Sequence, residues 1–251
     1  MPASKVGQIA DDLRNQILSG VYGKGRLPTG RELAKEFGAS RDTIQKVLTR
    51  LEAEGILEGV GERGAVIRRT RIRIPGLTAK FDLTIQEQGY DPFEENIDIP
   101  AIVPAPPEIA QAMGVEEGTP VVRRFRLQGT KQQDGKGVIK TPYRLAENFY
   151  PVTLADETIL EQMQKDDSFD VLMAIKEKYG KFIVDVQDDV ISRLPTSREE
   201  DLLNIVTYAP VTEVQRINYT DDSIVIMVNK IIFVGNFFVL RYKYPVSHWT
   251  K

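Results

Sequence analysis

Arg26-Leu-Pro-Thr-Gly-Arg-Glu-Leu-Ala-Lys-Glu-Phe-Gly-Ala-Ser-Arg-Asp-Thr-Ile-Gln-Lys-Val-Leu48, continued by Leu51-Glu-Ala-Glu-Gly-Ile-Leu57, is the stretch that decides how this chain is read. Pro28 fixes the backbone ahead of a helix, and Thr29-Gly-Arg-Glu32 has the form of a capping box. In such a box the Thr29 hydroxyl accepts from the Glu32 backbone N–H and the Glu32 carboxylate reaches back. Leu33, Ala34 and Phe37 form an apolar face, and Gly38 supplies a turn in which a positive φ is cheap for glycine. Ser40 caps a further helix, Arg41 to about Glu54, whose buried stripe is Ile44, Val47, Leu48 and Leu51.

Working outward, Val6, Ile9, Ala10, Leu13, Ile17 and Leu18 recur at helical spacing behind a Ser4 cap, and Gly20 ends that helix. On the other side Gly55 stops the Arg41 helix. Ile56 to Ile67 then reads as a two-stranded wing, with Gly61 and Gly64 around a tip that carries Arg63. The unit is a winged helix-turn-helix. Arg41, Asp42, Thr43, Gln45, Lys46 and Thr49 face mainly outward near the start of its third helix, where a recognition helix meets base edges and phosphates. Gln suits adenine, Arg suits guanine, and Ser or Thr suits phosphate. Gly59-Val-Gly61 is not a dinucleotide fingerprint, because no helix follows it.

The charge distribution agrees with this reading. The 251 residues carry a net −3, but residues 1–73 hold fourteen Lys or Arg against nine Asp or Glu, a net +5, and the remainder carries −8. A basic head on an acidic body fits a head that touches phosphates. The chain has no cysteine and a single histidine, His248. Disulfides, thiolate catalysis and Cys-ligated metals are therefore excluded, and a multi-His metal site or a Ser-His-Asp triad is disfavoured. No metal, no cofactor and no catalytic residue is expected. No apolar run is long enough to span a bilayer, and the N-terminus lacks an apolar signal core, so a cytoplasmic protein without a membrane partner is expected.

Beyond Pro75-Gly76, which marks a linker, strands dominate. Val121 to Leu127 alternates, with Val121, Phe125 and Leu127 facing one way and Arg124 and Arg126 the other. Gly137–Leu145, Phe182–Leu194, Val211–Tyr219, Ser223–Val234 and Phe237–Tyr244 read as further strands. Pro107–Met113, Phe169–Tyr179 and Ser197–Leu203 read as helices. The order predicts an α+β body with a mainly antiparallel sheet.

The quoted stretch, through Leu51-Glu-Ala-Glu-Gly-Ile-Leu57, resembles the DNA-binding domain of the GntR family of bacterial transcription regulators over roughly residues 5–69. That resemblance implies DNA contacts from Arg31 and Arg41, phosphate contacts from Ser40 and Thr43, and a minor-groove wing built on Arg63 and Gly64. Gln45 and Lys46 join the expected DNA-facing set. Gln45 stands where some members have Arg, and Asp42 puts a negative charge beside the surface; both imply an altered base preference. The body is similar to the UTRA effector domain of the HutC subfamily, whose fold is related to chorismate lyase. The resembling residues are Ile109 to Val122, Arg124-Phe-Arg126, Tyr143 ahead of Pro151, Ser168-Phe-Asp-Val-Leu172 with Tyr179-Gly180, and the Ser223–Tyr244 hairpin. A small acidic metabolite is then the implied effector, with Arg124, Arg126 and Ser168 binding its anionic group and Lys140, Tyr143, Thr78 and Lys80 completing the set. Lys140 stands where many members have Glu, and Met227 lies near a second such position, which implies a more anionic or more apolar ligand, or none.

A winged helix-turn-helix domain is expected to span residues 1–73, a linker 74–90, and an effector-binding and dimerisation domain 91–251. The first reading of function is a homodimeric repressor whose affinity for a palindromic double-stranded operator is controlled by that small acidic metabolite. A repressor without a ligand, its body serving dimerisation only, is one alternative. An enzyme with a chorismate lyase-like domain is another, although no nucleophile–base pair is visible.

Overall fold

The computed structural model describes residues 4–22, 26–58, 64–67, 72–75, 80–134, 137–205, 209–235 and 238–243. The head opens with α1 (Lys5–Leu18), α2 (Gly30–Glu36) and α3 (Arg41–Ala53), followed by β1 (Leu57–Glu58) and β2 (Val66–Ile67). The caps are those the residue types dictate. Ser4 accepts from the Gly7 N–H, the Thr29–Glu32 capping box is complete, and Ser40 accepts from the Thr43 N–H. Leu13, Leu33, Ile44, Val47 and Leu51 are fully buried in one cluster with Leu57 and Ala65 from the wing. Arg14 clamps α1 to the end of α3 by donating to both carboxylate oxygens of Glu54, at 2.6 to 2.9 Å.

The wing pairs Leu57 with Ile67 and Glu58 with Val66, antiparallel. Its attachment is close. The Leu27 N–H donates to the Ala65 carbonyl at 2.8 Å, and Gly64 lies at φ +86°, where a Cβ would stand 2.5 Å from the Leu27 carbonyl oxygen. Gly61 and Arg63, expected at the wing tip, lie outside the described residues.

The body follows with β3 (Ile72–Pro75), α4 (Phe81–Glu87), β4 (Asp91–Asn96), β5 (Ala101–Pro104), α5 (Pro107–Met113), β6 (Pro120–Asp134), β7 (Gly137–Pro151), α6 (Glu157–Lys165), α7 (Val171–Tyr179), β8 (Asp185–Arg193), α8 (Ser197–Leu203), β9 (Val211–Tyr219), β10 (Val225–Val234) and β11 (Phe238–Arg241). Seven strands form one antiparallel sheet in the order β4-β6-β7-β10-β9-β8, with β5 beside β4 on the same edge of β6. The α+β architecture with an antiparallel sheet is therefore as expected. The helices α4 and α6 and the strands β3, β4 and β5 go beyond the expected elements, and α7 starts two residues later than expected, behind an Asp170 cap. Residues 81–87 of the expected linker fold as α4, which buries Phe81 and Ile85.

Each sheet face has its own core. On one face α5 and α8 cover Phe125, Leu145, Phe149, Val228 and Ile232. On the other, α6 and α7 pack over Val122, Tyr150 and Met227, while α4 packs near Ile231, Phe233 and Phe238. Separately, β3 pairs in parallel with β11, from Ile72 opposite Phe238 to Pro75 opposite Arg241. Among the described residues no helix is long and apolar enough to cross a membrane, and no group of His, Cys, Asp or Glu is placed to hold a metal ion.

Candidate functional site

The head presents one polar surface. Ser40, Arg41, Asp42, Gln45 and Lys46 are exposed at the start of α3, as is Arg31 in the first turn of α2. Among the described residues Arg31 and Arg41 form no ion pair, so both charges are free for phosphate or a guanine edge. Lys46 differs, because its ammonium lies 2.8 Å from Asp42 on the preceding turn. Ser40 and Thr43 also carry a structural duty: the Ser40 hydroxyl caps α3 at 3.1 Å and lies 2.8 Å from the Thr43 hydroxyl. Gly64, for its part, is required by the close approach to Leu27 already described.

The body holds a cavity of about 570 Å³ between the sheet and α4 and α7, a size ordinary for a metabolite site. Its floor is written in the strand register. Arg124 of β6 faces Asn148 of β7, which faces Asn229 of β10, which faces Arg216 of β9. The neighbouring row runs from Arg126 to Ala146, Ile231 and Val214, and the next from Gln128 to Arg144, Phe233 and Thr212. Side chains of one row share a face because strand residues alternate.

Amide groups link the floor. Asn218 Nδ2 donates to Asn229 Oδ1 at 2.7 Å, Asn229 Nδ2 to Asn148 Oδ1 at 2.8 Å, and Asn148 Nδ2 to the Tyr150 hydroxyl at 3.1 Å. All four residues are buried. Burial raises the Tyr150 pKa, so its hydroxyl stays protonated and keeps a proton to donate.

The structure sorts the expected effector residues. Arg126, Lys140, Ser168, Lys80 and Arg124 all line the cavity. Arg124, however, is 1 % exposed and spends its donors on the protein: on Asn96 Oδ1 and on the carbonyls of Phe169, Asp166 and Asp167, at 2.6 to 3.0 Å. It therefore holds the α6–α7 loop rather than offering an open guanidinium. Ser168 is not at the helix start; it lies two residues before the Asp170 cap, and its hydroxyl and N–H both donate to Asp166 Oδ1. Lys80 pairs with Asp170, Lys140 with Glu95 and Arg126 with Glu94. Asp170 stays below its usual pKa although burial opposes it, because Lys80 and the Met173 N–H hold the carboxylate. Tyr143 is not part of the cavity wall. It packs edge-on to Phe238, ring centres 6.2 Å apart, in the cluster that includes Phe81 and Phe233. Thr78 lies outside the described residues.

Sequence reasoning passed over Arg144, Gln128, Asn148, Asn218 and Asn229. Only Asn229 leaves a local signal, a polar residue inside the apolar run Val225–Val234. Arg144 lies over the Phe81 ring at 5.0 Å and the Phe233 ring at 5.3 Å.

Comparison with known proteins accords with both halves. The family model for bacterial regulatory proteins of the gntR family matches residues 5–67, and that of the UTRA domain matches residues 87–238. The HTH-type transcriptional regulator RB1450 of Rhizobium meliloti is 31 % identical over 84 % of this chain and 83 % of its own. The mannosyl-D-glycerate transport/metabolism system repressor MngR of Escherichia coli is 28 % identical over 86 % of this chain and 85 % of its own. The crystal structure of PhnF from Mycobacterium smegmatis superposes with a TM-score of 0.62 at 21 % identity, covering 95 % of this chain and 99 % of that one, which is a likeness of fold.

Proposed function

This chain belongs to the gntR family of bacterial regulatory proteins and carries a UTRA domain, the architecture of the HutC subfamily, and from that premise we propose that it is a homodimeric repressor released or retained by a small acidic metabolite. A DNA-binding regulator under small-molecule control, rather than an enzyme, is what the family gives. The finer reading adds that two heads set their α3 helices in successive major grooves of a palindromic operator, about 34 Å apart. Arg31 and Arg41 supply uncompensated charge there, and Gln45 supplies base-edge contact. The body, in this reading a relative of chorismate lyase that only binds, biases the arrangement of the heads. A ligand does so only through unequal affinity for two states.

The observation that carries the ligand side is the cavity: its wall includes seven basic and four acidic side chains over a floor of buried amides. A body serving dimerisation alone has no use for such a floor, so the ligand-independent alternative ranks second. MngR, named as the repressor of a mannosyl-D-glycerate system, is a relative whose name pairs this architecture with an acidic carbohydrate. We place the head at 1–73 and the effector domain at 91–251, with the connecting segment 74–90 contributing α4 to the core of the body.

The test is fluorescence anisotropy on DNA from upstream of the protein's own gene, at two salt concentrations and against a scrambled duplex. The duplexes are then titrated with phosphorylated sugars and organic acids. Specific, salt-sensitive binding that one metabolite shifts is expected. Equal weak binding to both duplexes, at an operator shown to respond to the protein in cells, would remove the reading of the head.

A further inference from the structure

Among the described residues, three buried side-chain polar atoms lack a hydrogen-bond partner: Arg126 Nε, Gln128 Oε1 and Arg144 Nε. All three residues line the same cavity. Register places them together, since Gln128 faces Arg144 directly across β6 and β7, and Arg126 faces Ala146 one pleat along. Buried polar atoms are nearly always paired. Three orphans on one wall of a cavity mark where a partner belongs.

The cations around the cavity narrow the choice further. Lys80, Lys131, Lys140 and Arg216 pair with Asp170, Asp91, Glu95 and Asp188. Arg126 gives its Nη1 to Glu94, and Arg124 is taken up by Asn96 and main-chain carbonyls. Arg144 has two aromatic rings and, among the described residues, no carboxylate partner. Burial, opposed by Glu94 and reinforced by Arg126 and Arg216, brings its pKa down to about 9, which still leaves it charged at neutral pH. Arg126, Arg144 and Glu94 together leave one unit of positive charge at this corner, and Arg124, held by neutral oxygens, adds another on the same sheet face, so an anion is the matching partner.

We propose that this corner, rather than the Arg124–Ser168 side, takes the acidic group of the effector, and that the group is the carboxylate of a 2-hydroxy acid. The carboxylate oxygens accept from Arg126 Nε and Arg144 Nε, and the adjacent hydroxyl donates to Gln128 Oε1. Glu94, a standing negative charge beside Arg126, disfavours a doubly charged phosphate at the same spot. This assignment rests on the effector reading above and names the chemical class of that ligand.

Thermal melting of the full chain at constant ionic strength tests it, with glycolate, lactate and gluconate as probes against glycolamide, acetate and glucose 6-phosphate. At least one hydroxy acid is expected to raise the wild-type Tm, and glycolamide is not. Arg144→Met should weaken the effective acid by about tenfold or more. Gln128→Leu should erase the advantage of a 2-hydroxy acid over acetate. Ligand-free Arg144→Met should melt no lower than wild type, because no carboxylate loses its partner. The assignment is overturned if no hydroxy acid stabilises the wild type, if Arg144→Met binds as tightly, or if ligand-free Arg144→Met melts several degrees lower. Glucose 6-phosphate stabilising wild type and Arg144→Met alike would overturn this corner while leaving an effector in place. A DNA complex that no metabolite shifts, in the anisotropy assay, would remove the effector itself.

Discussion

Replacing Gly64 by alanine tests how the wing is held to the head. The residue sits at φ +86°, and a Cβ would lie 2.5 Å from the Leu27 carbonyl oxygen, which belongs to backbone and has little room to yield. Two costs combine. A non-glycine residue in the left-handed region loses about 1–2 kcal/mol. Relieving the clash moves Leu27 away from Ala65 and weakens a 2.8 Å hydrogen bond that contributes about 1 kcal/mol. The head should therefore lose about 2–3 kcal/mol, which in a unit of its size corresponds to a fall in Tm of roughly 10–20 °C. Two other glycines calibrate the effect. Gly38 has φ +53° but open space around its Cβ position, so Gly38→Ala should show the conformational cost alone. Gly30, at the start of α2, has neither a positive φ nor a close neighbour, so Gly30→Ala should be neutral or slightly stabilising. Native-state hydrogen exchange on peptides from residues 26–67 reads the head directly. If Gly64→Ala lowers protection no more than Gly38→Ala, the Leu27–Ala65 contact is not what fixes the wing.

Arg41→Ala should weaken operator binding by about 1–3 kcal/mol and flatten its salt dependence, whereas Asp42→Asn, by freeing Lys46, should tighten it; anisotropy at several salt concentrations reads both. Asn229→Leu strands Asn148 Oδ1 and leaves Asn218 Nδ2 with only its bond to the Met227 carbonyl, so urea denaturation should show a loss of about 2–4 kcal/mol. Arg124→Met removes the guanidinium donor from the carbonyls of Asp166, Asp167 and Phe169, leaving the Asp166 carbonyl only the Phe169 N–H; cleavage by a protease within the α6–α7 loop should accelerate relative to wild type. Asp156 is held at a pKa of about 2, first by the Lys178 ammonium and then by the Tyr179 hydroxyl. A folded pKa below the ordinary 3.8 means that this stabilisation is present above pH 3.8 and is lost as pH falls through about 2. Asp156→Asn should therefore lower Tm at pH 6 and shrink the difference from wild type near pH 2.

The head was legible because its signals are local. A capping box, a Ser cap and an apolar stripe at helical spacing each lie within a few residues of what they determine, and Thr29, Glu32, Ser40, Ile44 and Leu51 take up their expected roles. The body's longer strands were legible by alternation, and the sides taken by Arg124 and Phe125 came out as expected. The short α6 was not, since Ile159, Leu160 and Met163 are too few to establish a period. The strands β4 and β5 carry prolines and acids that hide them, and they are made strands by the edge of β6. Within the cavity the failure has one cause. Asn148, Asn218 and Asn229 come from three strands and meet only through the register, and the availability of Arg144 depends on which carboxylates the other cations have already taken. Both are properties of distant pairings, which spacing along a chain does not encode.

The parallel pairing of β3 with β11 sets an order of events during synthesis. The head is complete by residue 67 or so, and its core draws on no residue beyond that point, so it can fold before the body is made. The segment leading out of it gains its strand partner only when residues 238–241 emerge. Until then the nascent chain carries a finished reading head on an unfastened stalk. A product cut short before Phe238 would keep that head, and so compete for DNA, without the seam that ties it to the body.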